Sequence, residues 1–290
     1  MLDVALATSA GFPNLDVSDT GLLDALSALG LKAEACIWDD PGVRFEEAAL
    51  TVVRSTWDYS AHRERFLAWA RSVPRLMNPA QVLEVNTDKT YLIDLHQAGV
   101  PIAPTTVVDS LASLAALMAP TAPIVVKPTV GAGSRGVAMF EPKDFDEARH
   151  HAARLLDQGT AVLVQRYLDA VERTGEATLI FFLGQFSHGI TKPPMLDPVT
   201  GTGEVATRDR ARWMADLEAY VPSHAELEVA QQCLEAARAT EVLYARVDLL
   251  PGDDGPVVGE LELTEPCLFL TSAPGAAERF ARAIVRTLEG

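Results

Sequence analysis

Along the first 80 residues, short apolar runs alternate with amphipathic stretches, the pattern of strands and helices wound into a parallel sheet. Residues 3–8 read as a buried-type strand. Leu22, Leu26 and Leu29 recur at helical spacing over residues 21–29, and Gly30 supplies a stop. Residues 33–38 and 50–53 read as further strands, 61–72 as an Arg- and Glu-rich helix, and 75–78 as a short fourth strand. From Asn86 the texture changes. Helices are predicted at 87–98, 109–118, 144–156, 224–239 and 276–288, with Pro101 and Pro104 marking an extended connector. Strands are predicted at 124–127, 137–140, 161–167, 244–250 and 257–263, and those at 177–183 and 185–191 flank Gly184 as a hairpin. Residues 197–212 mix Pro, Gly, Thr, Asp and Arg without apolar period and read as a mobile loop.

Gly131-Ala132-Gly133-Ser134-Arg135-Gly136 fits G-x-G-x-x-G. A dinucleotide fingerprint needs a helix directly after the glycines, so that its N-terminus meets the pyrophosphate. Here a strand-like run follows, so the dinucleotide reading fails on context. Strand–glycine loop–strand is instead the geometry of a flap that offers backbone N–H groups to phosphate. Kinase flaps are followed by their lysine, whereas Lys127 precedes this loop and no His-Arg-Asp or Asp-Phe-Gly element appears. A plain Gly-rich turn is the competing explanation.

Composition narrows the partners. The 290 residues carry 24 Lys and Arg against 40 Asp and Glu, a formal charge of −16. That acidity argues against nucleic acid and anionic membranes as partners, though not against a locally basic pocket for one small anion. Cys36, Cys233 and Cys267 have no metal-ligand or redox spacing. With no basic region before the first apolar run and no long apolar segment, a cytoplasmic location is expected. A homodimer is the commonest assembly for such a chain.

The order of the remaining signals is the informative part. Lys89 opens a helix, and Lys127 ends the strand before the glycine loop. Gln165-Arg166-Tyr167-Leu168 ends another strand, Gly175-Glu176 begins the next, and Asp248, Glu260 and Glu262 follow on late strands. This order resembles the ATP-grasp superfamily over nearly the whole chain. The similarity is closest to its glutathione synthetase-like and RimK-like branch. Within it, Arg54-Ser-Thr-Trp-Asp-Tyr59, His188-Gly-Ile-Thr-Lys192, Tyr244-Ala-Arg-Val-Asp248 and Glu260-Leu-Glu-Leu-Thr-Glu-Pro266 resemble the cycloserine-forming cyclo-ligases and their relatives. The implied architecture is mixed α/β and α+β: an ATP-grasp fold with an N-terminal open parallel-sheet domain (1–85), a central subdomain with the flap (86–168) and a C-terminal subdomain with the metal carboxylates (169–290).

The resemblance implies roles. Lys89 and Lys127 would contact ATP phosphates under Gly133 and Ser134, although a lysine at a strand end is otherwise an ordinary surface charge. Gln165, Tyr167 and Leu168 would hold adenine, and Glu176 the ribose. Many family members carry glutamate where this chain has Gln165, but an amide carbonyl can still accept from the adenine amino group.

Strand residues two apart share a face, so Glu260 and Glu262 project together. With Asp248 they form an oxygen-rich set suited to Mg²⁺, with Mn²⁺ as a substitute. The family usually has asparagine where this chain has Glu262. Arg246 shares the face of Asp248 and would stabilise the transferred phosphoryl group. Lys192, sharing a face with His188, and Arg135 are the other catalytic candidates. Arg54, Ser55, Trp57, Asp58 and Tyr59 lie past a strand's carboxyl end, where open α/β sheets bind ligands, and join His188 as candidates for an amino-acid-like substrate. Arg208 and Arg210 are further loop arginines able to clamp a carboxylate.

The implied chemistry is phosphorylation of a carboxylate by ATP and capture of the acyl phosphate by nitrogen. In a cyclo-ligase, O-ureido-D-serine would supply both groups. An intermolecular amino-acid or peptide ligase and a catalytically silent nucleotide-binding module remain the alternatives.

Overall fold

A computed structural model describes residues 2–193, Met214 and 217–290; the predicted loop at 197–212, with Arg208 and Arg210, lies outside them. Three sheets organise the chain. The first is parallel, in the order β2 (Ala33–Ile37), β1 (Leu2–Thr8), β3 (Ala48–Val53), β4 (Leu76–Met77). Its strands alternate between two cores. Val4, Leu6, Leu50 and Val52 face one, while Ala5, Ala7 and Val53 face another with Trp38 and Phe66. Helix α1 (Leu22–Ala28) covers the first face and α2 (Arg63–Ser72) the second.

The second sheet is antiparallel, β5 (Thr105–Val108), β8 (Val162–Arg166), β6 (Ile124–Pro128), β7 (Ala138–Phe140). The glycine loop joins β6 to β7, so a strand does follow the glycines, as predicted. Gly136 has φ +74°, and a Cβ there would meet Leu155 and Pro128 at 3.3 Å, so the turn requires glycine.

The third sheet, also antiparallel, runs β11 (Glu218–Tyr220), β10 (Gln185–Lys192), β9 (Glu176–Phe182), β12 (Tyr244–Gly252), β13 (Gly255–Glu262). β9 and β10 form the predicted hairpin around Gly184. One face buries Leu179, Phe181, Ala245, Val247 and Leu261 against Leu92 and Leu95 of a helix at Tyr91–Gln97 and Ala230, Cys233 and Leu234 of a helix at His224–Ala236. The opposite face packs Ile180, Phe182, Ile190 and Tyr244 against the first sheet. The terminal helix Ala276–Glu289 inserts Phe280, Ala281 and Ile284 into that same core beside Leu22 and Leu26. The C-terminus therefore completes the core of the N-terminal sheet.

Some elements escape the apolar pattern. The helix Ala80–Asn86 buries only Leu83 and so lacks an apolar period. β5 is an edge strand in the stretch read as connector after Pro104, and Val171–Thr174 is a single turn. The predicted helix at 87–98 starts at Tyr91. Among the described residues no helix is long and apolar enough to cross a membrane.

Candidate active site

The register of the third sheet assembles the charges. Asp248 pairs with Thr178 on one side and Glu260 on the other, Arg246 pairs with Glu262, and Lys192 pairs with Glu176. Because side chains alternate along each strand, these seven residues share one face over four strands, next to the apolar part of that face. Lys127, on β6 of the second sheet, faces them with Val125. The enclosed cleft is about 480 Å³ and is roofed by Gly131–Arg135 of the glycine loop.

Most of these charges are paired. Lys89 Nζ lies 3.0 Å from Glu260 and donates to the Gly131 carbonyl at 2.8 Å, tying the lysine to the flap. Lys192 bridges Glu176 and Asp248, the latter at 3.1 Å. Arg246 spans Asp248 at 2.9 Å and Glu262 at 2.5 Å, and Thr178 donates to Asp248 at 2.8 Å.

The remaining imbalance is the chemically useful part. Burial disfavours the Asp248 charge, but Arg246 and Lys192 hold its carboxyl well below the usual range. Burial, with the Glu260 and Asp248 charges, pushes Glu262 up to about 7 against the pull of Arg246. Burial, with Glu262, pushes Glu265 up to about 8. Lys127 is lowered by burial and by Lys89, and among the described residues it makes no ion pair or hydrogen bond. A half-buried cation with no direct ion-pair partner among the described residues is a seat for phosphate oxygens. Oxygen atoms of Asp248, Glu260 and Glu262 lie within 4.8 Å of one another. An all-carboxylate set with one member pushed toward neutrality by its neighbours fits a hard divalent cation such as Mg²⁺.

The cleft brings together Lys89, Lys127, Gly133, Ser134, Arg135, Glu176, Lys192, Arg246, Asp248, Glu260, Glu262, Trp57 and Tyr59 of the predicted set. Arg135 reaches from the flap to the Trp57 carbonyl at 2.9 Å and Ser60 Oγ at 2.6 Å, so its guanidinium latches the flap to the loop after β3.

Other predicted residues are placed elsewhere. Arg54 is buried against Asp19 at 2.9 Å and donates to the Pro266 carbonyl at 3.0 Å, with Tyr244 and Phe280 beside its guanidinium. Ser55 Oγ accepts from the Asp16 amide, and Asp58 accepts from Trp38 Nε1. His188 lies between Ser187 Oγ and the Leu268 carbonyl, and burial lowers it to about 4, so its ring is neutral. These four hold the loop and core instead of lining the cleft.

Gln165 sits opposite Val125, but its side chain donates to Thr105 Oγ1 and borders a second cavity. The Tyr167 amide is taken by the Pro123 carbonyl and its hydroxyl by Glu172, while the Leu168 carbonyl accepts from Val171. None of the three lines the cleft as it stands.

Sequence reasoning assigned no role to Phe12, Asn86, Tyr91, Glu265, Cys267 or Phe269, which also line the cleft. Glu265 had a visible signal, a carboxylate three residues past Glu262. Asn86 had none: its amide donates to the Leu261 carbonyl and accepts from the Leu263 amide, bracketing Glu262.

The family model for the N-terminal domain of D-cycloserine synthetase DcsG matches residues 4–78. Over 297 aligned residues, covering 99% of each chain, the protein is 37% identical to the cycloserine biosynthesis protein DcsG of Streptomyces lavendulae. It superposes on the crystal structure of D-cycloserine synthetase DcsG with a TM-score of 0.89 at 37% identity, covering 98% of this chain and 99% of that one. The RimK domain ATP-grasp protein of Sphaerobacter thermophilus DSM 20745 shares the fold at a TM-score of 0.68 and 21% identity, covering 97% and 98% of the two chains. With its fold and more than a third of its residues in common with DcsG over the full length, the chain belongs to the DcsG family of ATP-grasp ligases.

Proposed function

We propose that the enzyme closes O-ureido-D-serine to D-cycloserine at the expense of ATP. The observation that carries this reading is the 37% identity to a cycloserine biosynthesis protein across both full lengths. ATP would transfer its γ-phosphoryl group to the substrate carboxylate, giving an acyl phosphate and ADP. The ureido nitrogen bonded to oxygen would then attack the acyl carbon and lose its proton, expelling phosphate and closing the five-membered ring. Water would release the carbamoyl group as carbon dioxide and ammonia.

In this reading Lys127 and Lys89 receive the phosphates with the flap amides, and Arg246 meets the charge that develops on the phosphoryl group. Asp248, Glu260 and Glu262 would hold Mg²⁺, which when bound supplies charge neutralisation to the phosphates. Lys192 keeps Asp248 ionised, and the latched flap excludes water from the acyl phosphate.

The test is ADP release with MgATP, with and without O-ureido-D-serine, and the mass of the small product. Substrate-dependent ADP with the mass of cycloserine is the expected result. Dependence on other carboxylates and amines would instead identify an intermolecular ligase. Glu260→Gln is expected to abolish turnover while leaving measurable nucleotide affinity, and undiminished turnover would remove the metal assignment.

A further inference from the structure

Among the cleft cations, Lys127 and Arg135 make no ion pair with a described carboxylate. Among the cleft carboxylates, Glu265 makes no direct ion pair with a described residue, although Glu260, Glu262, Glu176 and Asp248 all do; Lys89 and Arg246 act on it only as more distant charges. Glu265 is only 7% exposed yet borders the cleft.

Its surroundings differ from those of the metal-type carboxylates. Burial, with the Glu265 charge close by, holds the Tyr59 phenol neutral, and Trp57 Nε1 fixes the Glu265 backbone carbonyl at 3.0 Å. Phe12 meets Trp57 edge to face at 4.9 Å, and both line the cleft with Phe269. An anionic group walled by aromatic rings suits a primary ammonium, which gains a charge-assisted hydrogen bond and the attraction of ring faces.

We propose that Glu265, with Tyr59, Trp57, Phe12 and Phe269, is the subsite for the α-ammonium group of the amino-acid substrate. The inference rests on the cyclo-ligase reading of this cleft and adds the group that selects an amino acid over a plain carboxylic acid. Burial and the Glu262 charge disfavour the Glu265 carboxylate more than Lys89 and Arg246 favour it, and a cation in direct contact would offset the difference.

The test pairs two ligands with two proteins. O-ureido-D-serine and its deamino analogue 3-(ureidooxy)propanoate are titrated calorimetrically into wild-type enzyme and Glu265→Gln, each with Mg²⁺ and a non-hydrolysable ATP analogue. Wild type is expected to prefer the amino ligand by roughly 10- to 100-fold. Glu265→Gln is expected to bind the two within about threefold, mostly by weakening the amino ligand, and Glu265→Asp to recover part of the preference. Equal weakening of both ligands in Glu265→Gln, or wild-type protein that binds both equally, overturns the subsite; the second outcome needs no variant to fold.

Turnover reports separately on the reaction. Discrimination without cycloserine formation overturns the cyclisation and keeps the subsite. Cycloserine formation without discrimination does the reverse. Failure of wild type to bind either ligand overturns both.

Discussion

Two buried arginine–aspartate pairs lie in this molecule with opposite consequences. Arg54 meets Asp19 and Arg246 meets Asp248, each through two guanidinium nitrogens at 2.9–3.1 Å. Arg54 is 1% exposed, and it donates further to the Val53 and Pro266 carbonyls, all away from the cleft. Arg246 shares itself between Asp248 and Glu262 and borders the cleft. One pair holds the segment after β13 to the N-terminal sheet. The other keeps a cation where phosphate charge would develop. Burial and pairing alone do not identify a functional arginine; whether its guanidinium borders the cleft does.

Replacing each arginine sharpens this contrast. Arg246→Ala is expected to lower turnover by about 10³-fold, the scale for losing a preorganised donor to transition-state charge. Asp248 keeps Lys192 at 3.1 Å and Thr178 at 2.8 Å, so the fold survives. Steady-state kinetics beside thermal melting checks this, and a loss of stability with little loss of turnover would break the comparison.

Arg54→Ala should do the opposite. It removes the guanidinium of the buried Asp19 pair and the tether to Pro266, at a cost of about 3–5 kcal/mol. Denaturant unfolding measures that loss, and folded variant assayed in the cold should keep turnover within about tenfold of wild type. A fold-neutral variant with collapsed turnover would return Arg54 to the cleft.

The same pairs show what was legible in the chain. Period-two alternation put Glu260 beside Glu262 and Arg246 beside Asp248, and the sheet register bears out both. The strand–glycine–strand flap was also readable, because a strand-like run follows Gly136. Arg54, in contrast, sits past a strand's carboxyl end and looked like a ligand. Its true partners, Asp19 and Pro266, are 35 and 212 residues away, and no local spacing encodes them. Asn78 was silent for the same reason. Its amide joins the first sheet to the third through the Tyr244 and Leu263 carbonyls and the Leu243 amide. Gln165 was placed on the correct strand, but a rotamer toward Thr105 cannot be read from periodicity.

His188 tests the same distinction by pH. Burial lowers it to about 4 from an ordinary 6.5, while the Leu268 carbonyl raises it less and Arg279 lowers it further. The neutral ring is the form that folds. Its contribution is therefore complete above pH 6.5 and is lost as pH falls toward 4, by up to about 3 kcal/mol. Unfolding free energies of wild type and His188→Gln at pH 6.5 and 4.5 should converge at the lower pH. Parallel pH dependence in the two proteins would show that His188 titrates freely.

The smallest effect belongs to Arg135, the one predicted catalytic arginine whose contacts are exposed. Its bonds to the Trp57 carbonyl and Ser60 Oγ compete with water, so they contribute little to stability. They nevertheless join the flap to the loop that carries Trp57 and Tyr59 over the cleft. Losing the latch should admit water to the activated carboxylate more than it slows phosphoryl transfer. Arg135→Ala is thus expected to raise ADP formed per product released by about threefold, with little change in melting temperature. Arg135→Lys, which keeps the charge but not the fork that reaches both oxygens, should fall between. An unchanged ratio would mean that the flap seals the cleft through Lys89 and the Gly131 carbonyl alone, leaving Arg135 a surface contact and Arg246 the arginine on which the chemistry depends.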